Sequence, residues 1–426
     1  MEKYKRFGYL NIDKERGISI VLVAIFLVLF IGIAALAIDI GRYMVTKNEL
    51  QNIADGAALA ACRELGEIYS KMPGGFEGYS LNDNPADVTA IKNKAIAVGN
   101  SNVAGGKSGI LILSDDIEIG TWWKSSSPPY FDPTPDEPHA VKVTVRRDTI
   151  ANQPVATFFA GIFDRDSIPD AKSAVASLSG QGETVEGEVE IPVGISDYFF
   201  VDPDRCRDDI YFSPTDESCA AWNTFDNPGS VNDTAVGNLI DDLTDGTATP
   251  PATTVWETEF GYIGGNLSQG TFDSFLLLFR AKGKDYYRAQ TGTDDQGNPV
   301  YEEFYVTEDS QRVPIGIDGT TNITTTNPQA YWPAPEDTEK RYLHKWETKA
   351  VVYHNTDFDE IGKDKCGNAS GDQPIVGYVK VTIYDVYDAP EKTIKGKVDC
   401  DFVPPDPTHG GGGAFGVWGS IPNLVQ

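Results

Sequence analysis

The chain has 426 residues, 40% hydrophobic and 11% aromatic, which is enough for one large or two ordinary cores and argues against a disordered stalk. Formal net charge is −28, and setting aside the five basic and three acidic residues of the first 17 leaves −30 for the rest. Such an acidic body is a poor partner for nucleic acid or anionic lipid.

Residues 1–17 form a short basic N-terminus holding Lys3, Lys5, Arg6, Lys14 and Arg16. Ile18–Ile38 follows as an apolar run whose only polar side chain is Ser19. At about 1.5 Å per helical residue it reaches roughly 30 Å, the thickness of bilayer hydrocarbon. The sequence therefore predicts a transmembrane helix over 18–38, with the lipid bilayer as a partner. Basic residues ahead of the run outnumber Arg42 and Lys47 behind it, which places the N-terminus in the cytoplasm and the body outside. Ala35-Leu36-Ala37 also has the small-residue pattern of a signal cleavage site, and cleavage after Ala37 would make a secreted protein.

The helical pattern continues past the apolar run through Tyr43, Leu50, Ala54, Ala57, Ala61, Leu65 and Ile68. An amphipathic extension is expected over 39–72, stopped by Met72-Pro73-Gly74-Gly75. Residues 73–180 read as a small α+β lobe: a helix at Pro85–Asn100, strands at Ile110–Trp123, Ala140–Val145 and Ala171–Leu178, and a short helix at Thr157–Phe163. Gly180-Gln181-Gly182-Glu183 is expected to be a flexible boundary.

Residues 181–408 read as a mainly β lobe, extracytoplasmic like the first, with strands at Val189–Ile195, Phe272–Phe279, Lys349–Tyr353, Ile375–Tyr384 and Lys392–Asp399. Thr247–Thr254 and Thr320–Pro328 are expected as loops. Residues 409–426 combine a hinge, Gly410–Gly413, with an apolar tail carrying Phe415, Val417, Trp418, Ile421, Leu424 and Val425. Such a tail docks, either back on its own β lobe or on a partner. The fold class expected is α+β.

Four cysteines in the second lobe suit an oxidising compartment and allow three pairings, of which the local one, Cys206–Cys219 with Cys366–Cys400, is expected. Cys62, among alanines on the helix, reads as a packed free thiol. No metal site is expected, because no Cys-x-x-Cys occurs and His139, His344, His354 and His409 lack ligand spacing. Two acidic groupings, Asp202, Asp204, Asp208 and Asp209, then Asp357, Asp359, Glu360 and Asp364, lack the calcium-loop order of ligands and read as solvated loops. Gly105-Gly106-Lys107-Ser108 has no glycine at 101 to complete a phosphate loop and reads as a turn. His409–Gly412 has no upstream Gly-x-Ser-x-Gly to make it part of a hydrolase site. Neither a catalytic site nor a cofactor is expected.

Arg16-Gly17, the apolar run, Asp39-Ile40-Gly41-Arg42 and LeuGlnAsnIleAlaAspGlyAlaAlaLeuAlaAla at Leu50–Ala61 together resemble the N-terminal segment of TadE/TadG-like Flp (tight adherence) pilus-assembly proteins. That resemblance implies an inner-membrane anchor with a periplasmic part serving a pilus-secretion machine, and other pilus-assembly proteins as partners. Many TadG-type proteins add a von Willebrand A domain with an Asp-x-Ser-x-Ser metal motif. This chain has none, its nearest string being Asp245-Gly246-Thr247-Ala248-Thr249. Gly17 sits where a prepilin peptidase would cut, but Ile18, Ser19, Ile20, Val21 and Leu22 lack the glutamate of pilin precursors.

The candidate interaction residues are small: Ala54, Ala57, Ala58 and Ala61 outside the membrane, with Ala37 and Gly41 inside it. Packing of the strip on the chain's own first lobe is the alternative. A rival function is an anchored extracytoplasmic enzyme or ligand-binding module with the β lobe as its active part.

Overall fold

A computed structural model describes residues 12–72, 75–124, 126–200, 209–212, 219–225, 231–264, 267–293, 299–306, 312–314, 340–354, 371–387 and 392–426. Helix α1 runs unbroken from Ile12 to Tyr69, 58 residues and therefore about 87 Å. Neither Pro nor a glycine pair interrupts it, and it ends one turn before Pro73. Most side chains between Ile20 and Val45 are exposed, whereas Leu50, Ile53, Leu65 and Tyr69 are buried. The apolar half stands free and the other half is core.

That core belongs to a five-stranded antiparallel sheet. Its order is Asn423–Leu424, Asp170–Ser177, Ala140–Arg147, Ile117–Trp123 and Tyr130–Pro133. Alternation in Ala140–Arg147 turns Val141, Val143 and Val145 into the core and leaves Lys142, Thr144 and Arg146 on the other face. Helix α2, Pro85–Asn100, lies beside α1 and buries Ile91, Ala95 and Gly99 at four-residue steps. Pro85 opens α2, where a missing N–H costs nothing. Ile110–Leu113 is irregular rather than strand, and only Ala160–Phe163 of the expected Thr157–Phe163 helix turns, as a short 3-10 segment.

The second lobe is built on a ten-stranded sheet. Its order is Asp209–Phe212, Thr393–Asp399, Gly371–Tyr387, Glu259–Ile263, Ala220–Asn223, Val193–Ser196, Lys340–Tyr353, Lys284–Thr293, Pro299–Val306 and Arg312–Pro314. The 17-residue strand Gly371–Tyr387 pairs with Glu259–Ile263 at its start and with Lys340–Tyr353 beyond. Five strands thereby close into a ring, with Val193–Ser196 and Lys340–Tyr353 parallel and the other pairs antiparallel. The architecture is mixed α+β with a mainly β C-terminal region.

Phe272–Phe279 is helix, not strand. It lies within α4, Gln269–Lys282, whose first turn is capped by the Ser268 hydroxyl accepting from the Thr271 N–H at 3.3 Å. Phe272, Phe275, Leu278 and Phe279 bury one helical face. Helix α3, Asp233–Asp245, packs on α4 and is bracketed by an Asn232 cap and a left-handed Gly246. No helix was expected in either place.

The tail does not confine itself to the β lobe. Gly410–Gly412 pairs with Gly180–Gln181, and Asn423–Leu424 pairs with the outer edge of Asp170–Ser177 in the first lobe. Val417 is buried in the second-lobe core, while the Trp418 ring meets Phe76 at 5.7 Å and His139 at 5.4 Å in the first. An open strand edge presents unpaired backbone groups, and the tail satisfies them. Gly180–Gly182 is correspondingly buried, so the expected flexible boundary is a clamped seam. Lys349 tightens it by donating to Gln181 at 2.9 Å and to Glu188.

Candidate interaction surface

The alanine strip is buried inside the chain's own first lobe, where α1 packs on α2 and on the sheet. Ala54, Ala57, Ala58 and Ala61 are all 0% exposed and share one buried core with Val141, Val143, Val145, Ala174 and Ala176 of the sheet and Ile91 and Ala95 of α2. Small side chains let the helix backbone approach the strands closely, as the sequence implied, but the surface approached is intramolecular. As described, these four alanines leave no area for a partner. Cys62, beside them, is a buried free thiol, and burial pushes its pKa up.

Ala37 and Gly41 behave differently. Both are exposed, and a side chain placed at Gly41 would meet nothing within 4 Å. Of the six small residues, these two alone remain available.

Between them, on the opposite side of α1, the helix is gripped where the apolar run ends. Asp39 is nearly buried and its carboxylate accepts from three successive backbone N–H groups: Phe158 at 2.8 Å, Phe159 at 2.9 Å and Ala160 at 2.7 Å. Burial opposes its charge, but those three bonds and the Arg42 charge outweigh it and hold the pKa below the usual aspartate value. One turn on, Arg42 donates to the carbonyls of Ala156 at 3.3 Å and Gly105 at 3.4 Å, and its guanidinium lies 4.4 Å from the centre of the Phe158 ring.

Glu49 completes the grip by accepting from the Gly105 N–H at 2.7 Å. Gly105 and Gly106 form the tight turn of a hairpin, Val103–Ala104 with Lys107–Ser108, and both have positive φ. A Cβ at Gly105 would come within 2.9 Å of the Thr46 hydroxyl, so glycine is needed both for conformation and for the close approach. The sequence identified this stretch as a turn but gave no sign of what it touches. Arg147 braces the turn by donating to the Ala104 carbonyl, and burial first, with the Arg42 charge second, lowers its pKa.

A cleft of 530 Å³ opens at the seam between the lobes, lined among others by Trp122, His139, Leu178, Gly412, Trp418 and Leu424. His139 Nε2 accepts from the Trp122 N–H at 3.1 Å, and burial lowers its pKa, so the ring is neutral near pH 7. The Ser177 hydroxyl donates to the Leu178 carbonyl at 2.8 Å. Both polar groups are occupied in holding the sheet.

Residues 202–208 and 357–366 are outside the described residues, which takes in Asp202, Asp204, Asp208, Asp357, Asp359, Glu360 and Asp364 as well as Cys206 and Cys366. Cys219 and Cys400 are buried. Among the described residues no group of three or more His, Cys, Asp or Glu side chains is arranged to hold a metal.

Residues 17–64 match the family model described as TadE/G-like Flp pilus assembly. Residues 79–173 match a second model, described as Tad-like Flp pilus assembly. The first lobe is Tad-like. The two matches cover α1 from the start of its apolar run, then α2 and the sheet as far as Ser173, so the likeness extends well beyond the helical motif that first suggested it. The grip on α1 therefore joins the two matched segments: Asp39, Arg42 and Glu49 lie in one, Gly105 and Phe158–Ala160 in the other. No curated protein and no solved structure matches the chain.

Proposed function

We propose that this chain is a single-pass inner-membrane protein, N-terminus in the cytoplasm, whose periplasmic body acts without catalysis as a structural or assembly component of a Flp-type pilus machine. The observation that carries the proposal is the coincidence of the two Tad-type matches with one mechanical unit, a long helix clamped to a lobe. A span of mean hydropathy 3.2 near the N-terminus fits membrane anchoring. The helix passes without a break through Ala37, which favours an uncleaved anchor over secretion.

The body is suited to passing force or position. Membrane helix, first lobe and second lobe are tied in series, the last joint being made by the C-terminal tail. Contact with other assembly proteins would fall on Ala37 and Gly41 and on the outer lobe, not on the alanine strip. Disulfides Cys206–Cys219 and Cys366–Cys400 would stiffen the outer lobe. A reporter replacing the body after Lys71 should be active only if exported, and the full chain should resist carbonate extraction from membranes. Activity of a cytoplasm-only reporter at that junction would overturn orientation and compartment together.

A further inference from the structure

We propose that the loop Phe158–Ile162 seats in the outer interface of the bilayer beside α1, giving the body a second, shallow membrane contact. The inference rests on reading Ile18–Ile38 as the membrane span. Phe158 is 66% and Ile162 80% exposed, with Phe159 also open to solvent. Three large apolar groups displayed within five residues form the kind of patch that marks a binding surface.

The place of the patch names its occupant. Asp39, the first residue after the apolar run, holds the loop by three N–H bonds, so the patch lies level with the end of the span. Ala35, one turn deeper on the same helix face, is only 9% exposed, while Leu36 and Ile38 beside it are open. The short turn Ala160–Phe163 packs on α1. The lobe thus reaches past the end of the apolar run, and the patch is continuous with the lipid-facing surface of the helix. A bilayer is the only occupant that this position provides without a further protein.

The backbone is largely prepared for leaving water, with four of the five N–H groups of Phe158–Ile162 paired. The N–H groups of Phe158, Phe159 and Ala160 all bond Asp39, those of Ile162 and Asp164 bond the Phe159 and Gly161 carbonyls, and Arg165 N–H bonds the Ala160 carbonyl. Groups left unpaired would keep the loop in water. Depth is limited by the exposed carboxylates of Asp164 and Asp166, which close the turn and must stay hydrated, so insertion is interfacial. Recognition is apolar, and an acidic body calls for a zwitterionic surface rather than an anionic one.

The test uses the full chain in phosphatidylcholine vesicles, with an environment-sensitive fluorophore on Ile162→Cys and, as control, on Asp245→Cys, an exposed position on α3. Unsubstituted chain carried through the same labelling corrects for the native cysteines. Flotation with the vesicles first reports the span itself. The expected result is flotation of both variants, with the 162 label shifted to shorter wavelength, quenched by a lipid-borne quencher near the headgroups and shielded from aqueous iodide, and the 245 label behaving oppositely. A floating protein whose 162 label is quenched by iodide like the control overturns the insertion while leaving the span intact. Shielding of that label from both quenchers also overturns it, since protein then covers the patch. Failure to float removes the span and the insertion together.

Discussion

Gly66 of α1 lies directly against Ser420 of the C-terminal tail: a Cβ at Gly66 would stand 2.5 Å from the Ser420 carbonyl oxygen. Helix and tail are some 350 residues apart in the chain, yet backbone meets backbone here, and no flexible side chain can move aside. Gly66→Ala is therefore expected to push the tail from its seat despite the better helix propensity of alanine, costing about 1–3 kcal/mol as overpacking does. Thermal unfolding of the purified body should show a lower Tm, and a limited protease should release the last residues faster. An unchanged Tm would mean that the tail is held loosely.

Ala57 and Gly41 separate folding from partnership. Ala57→Leu adds bulk where nothing is exposed and should cost about 1–3 kcal/mol or more, lowering protein level and pili in parallel. Gly41→Leu enters open space and should leave the protein level unchanged. If Gly41 lets another helix approach closely, pili fall at normal protein level. Normal pili in Gly41→Leu would remove that edge of the helix from the candidate contacts.

Asp39→Ala removes the acceptor of three N–H groups at once. Hydrogen exchange at Phe158, Phe159 and Ala160 should accelerate strongly while exchange in Ala140–Arg147 stays slow, because the sheet core does not depend on this carboxylate. Equal acceleration throughout the lobe would instead show Asp39 to be a determinant of the whole fold.

The seam predicts a pH dependence. Burial alone would raise the Glu188 pKa, but Lys349, the Val185 N–H and Gln181 outweigh it and bring it below the usual 4.5. A carboxylate depressed in the folded state stabilises above its unfolded value and loses that contribution as pH falls through the folded one. Removing one member of a fully buried pair costs about 3–5 kcal/mol; with a fifth of the Glu188 side chain exposed, roughly half of that is expected for Glu188→Gln at neutral pH. The Tm gap between the two proteins should narrow as pH drops below 4.5. A gap independent of pH would assign the stabilisation to packing alone.

Much of the first lobe was legible because its signals are local and strongly periodic. The apolar run, the helical spacing from Leu50 to Ile68, Pro85 opening α2 and the alternation in Ala140–Val145 each depend on a few neighbouring residues. The second lobe was less legible where aromatic bulk imitates a strand: Phe272, Phe275 and Phe279 lie at helical spacing, but the cap at Ser268 was the deciding signal. The candidate contacts were hidden for a different reason. Whether Ala54 and Ala57 face a partner or the chain's own sheet depends on Ala174 and Ala176, which lie far along the chain. Likewise Asp39 was visible as a charge at the end of an apolar run, but its partners Phe158–Ala160 are about 120 residues away and no sequence pattern links them.

If this protein serves the assembly of Flp-type pili, as proposed, cells lacking its gene should differ from the parent in the surface pili counted by electron microscopy. The expected result is loss of pili on deletion and their return when the full chain is supplied in trans. Undiminished pili in the deletion strain would contradict it.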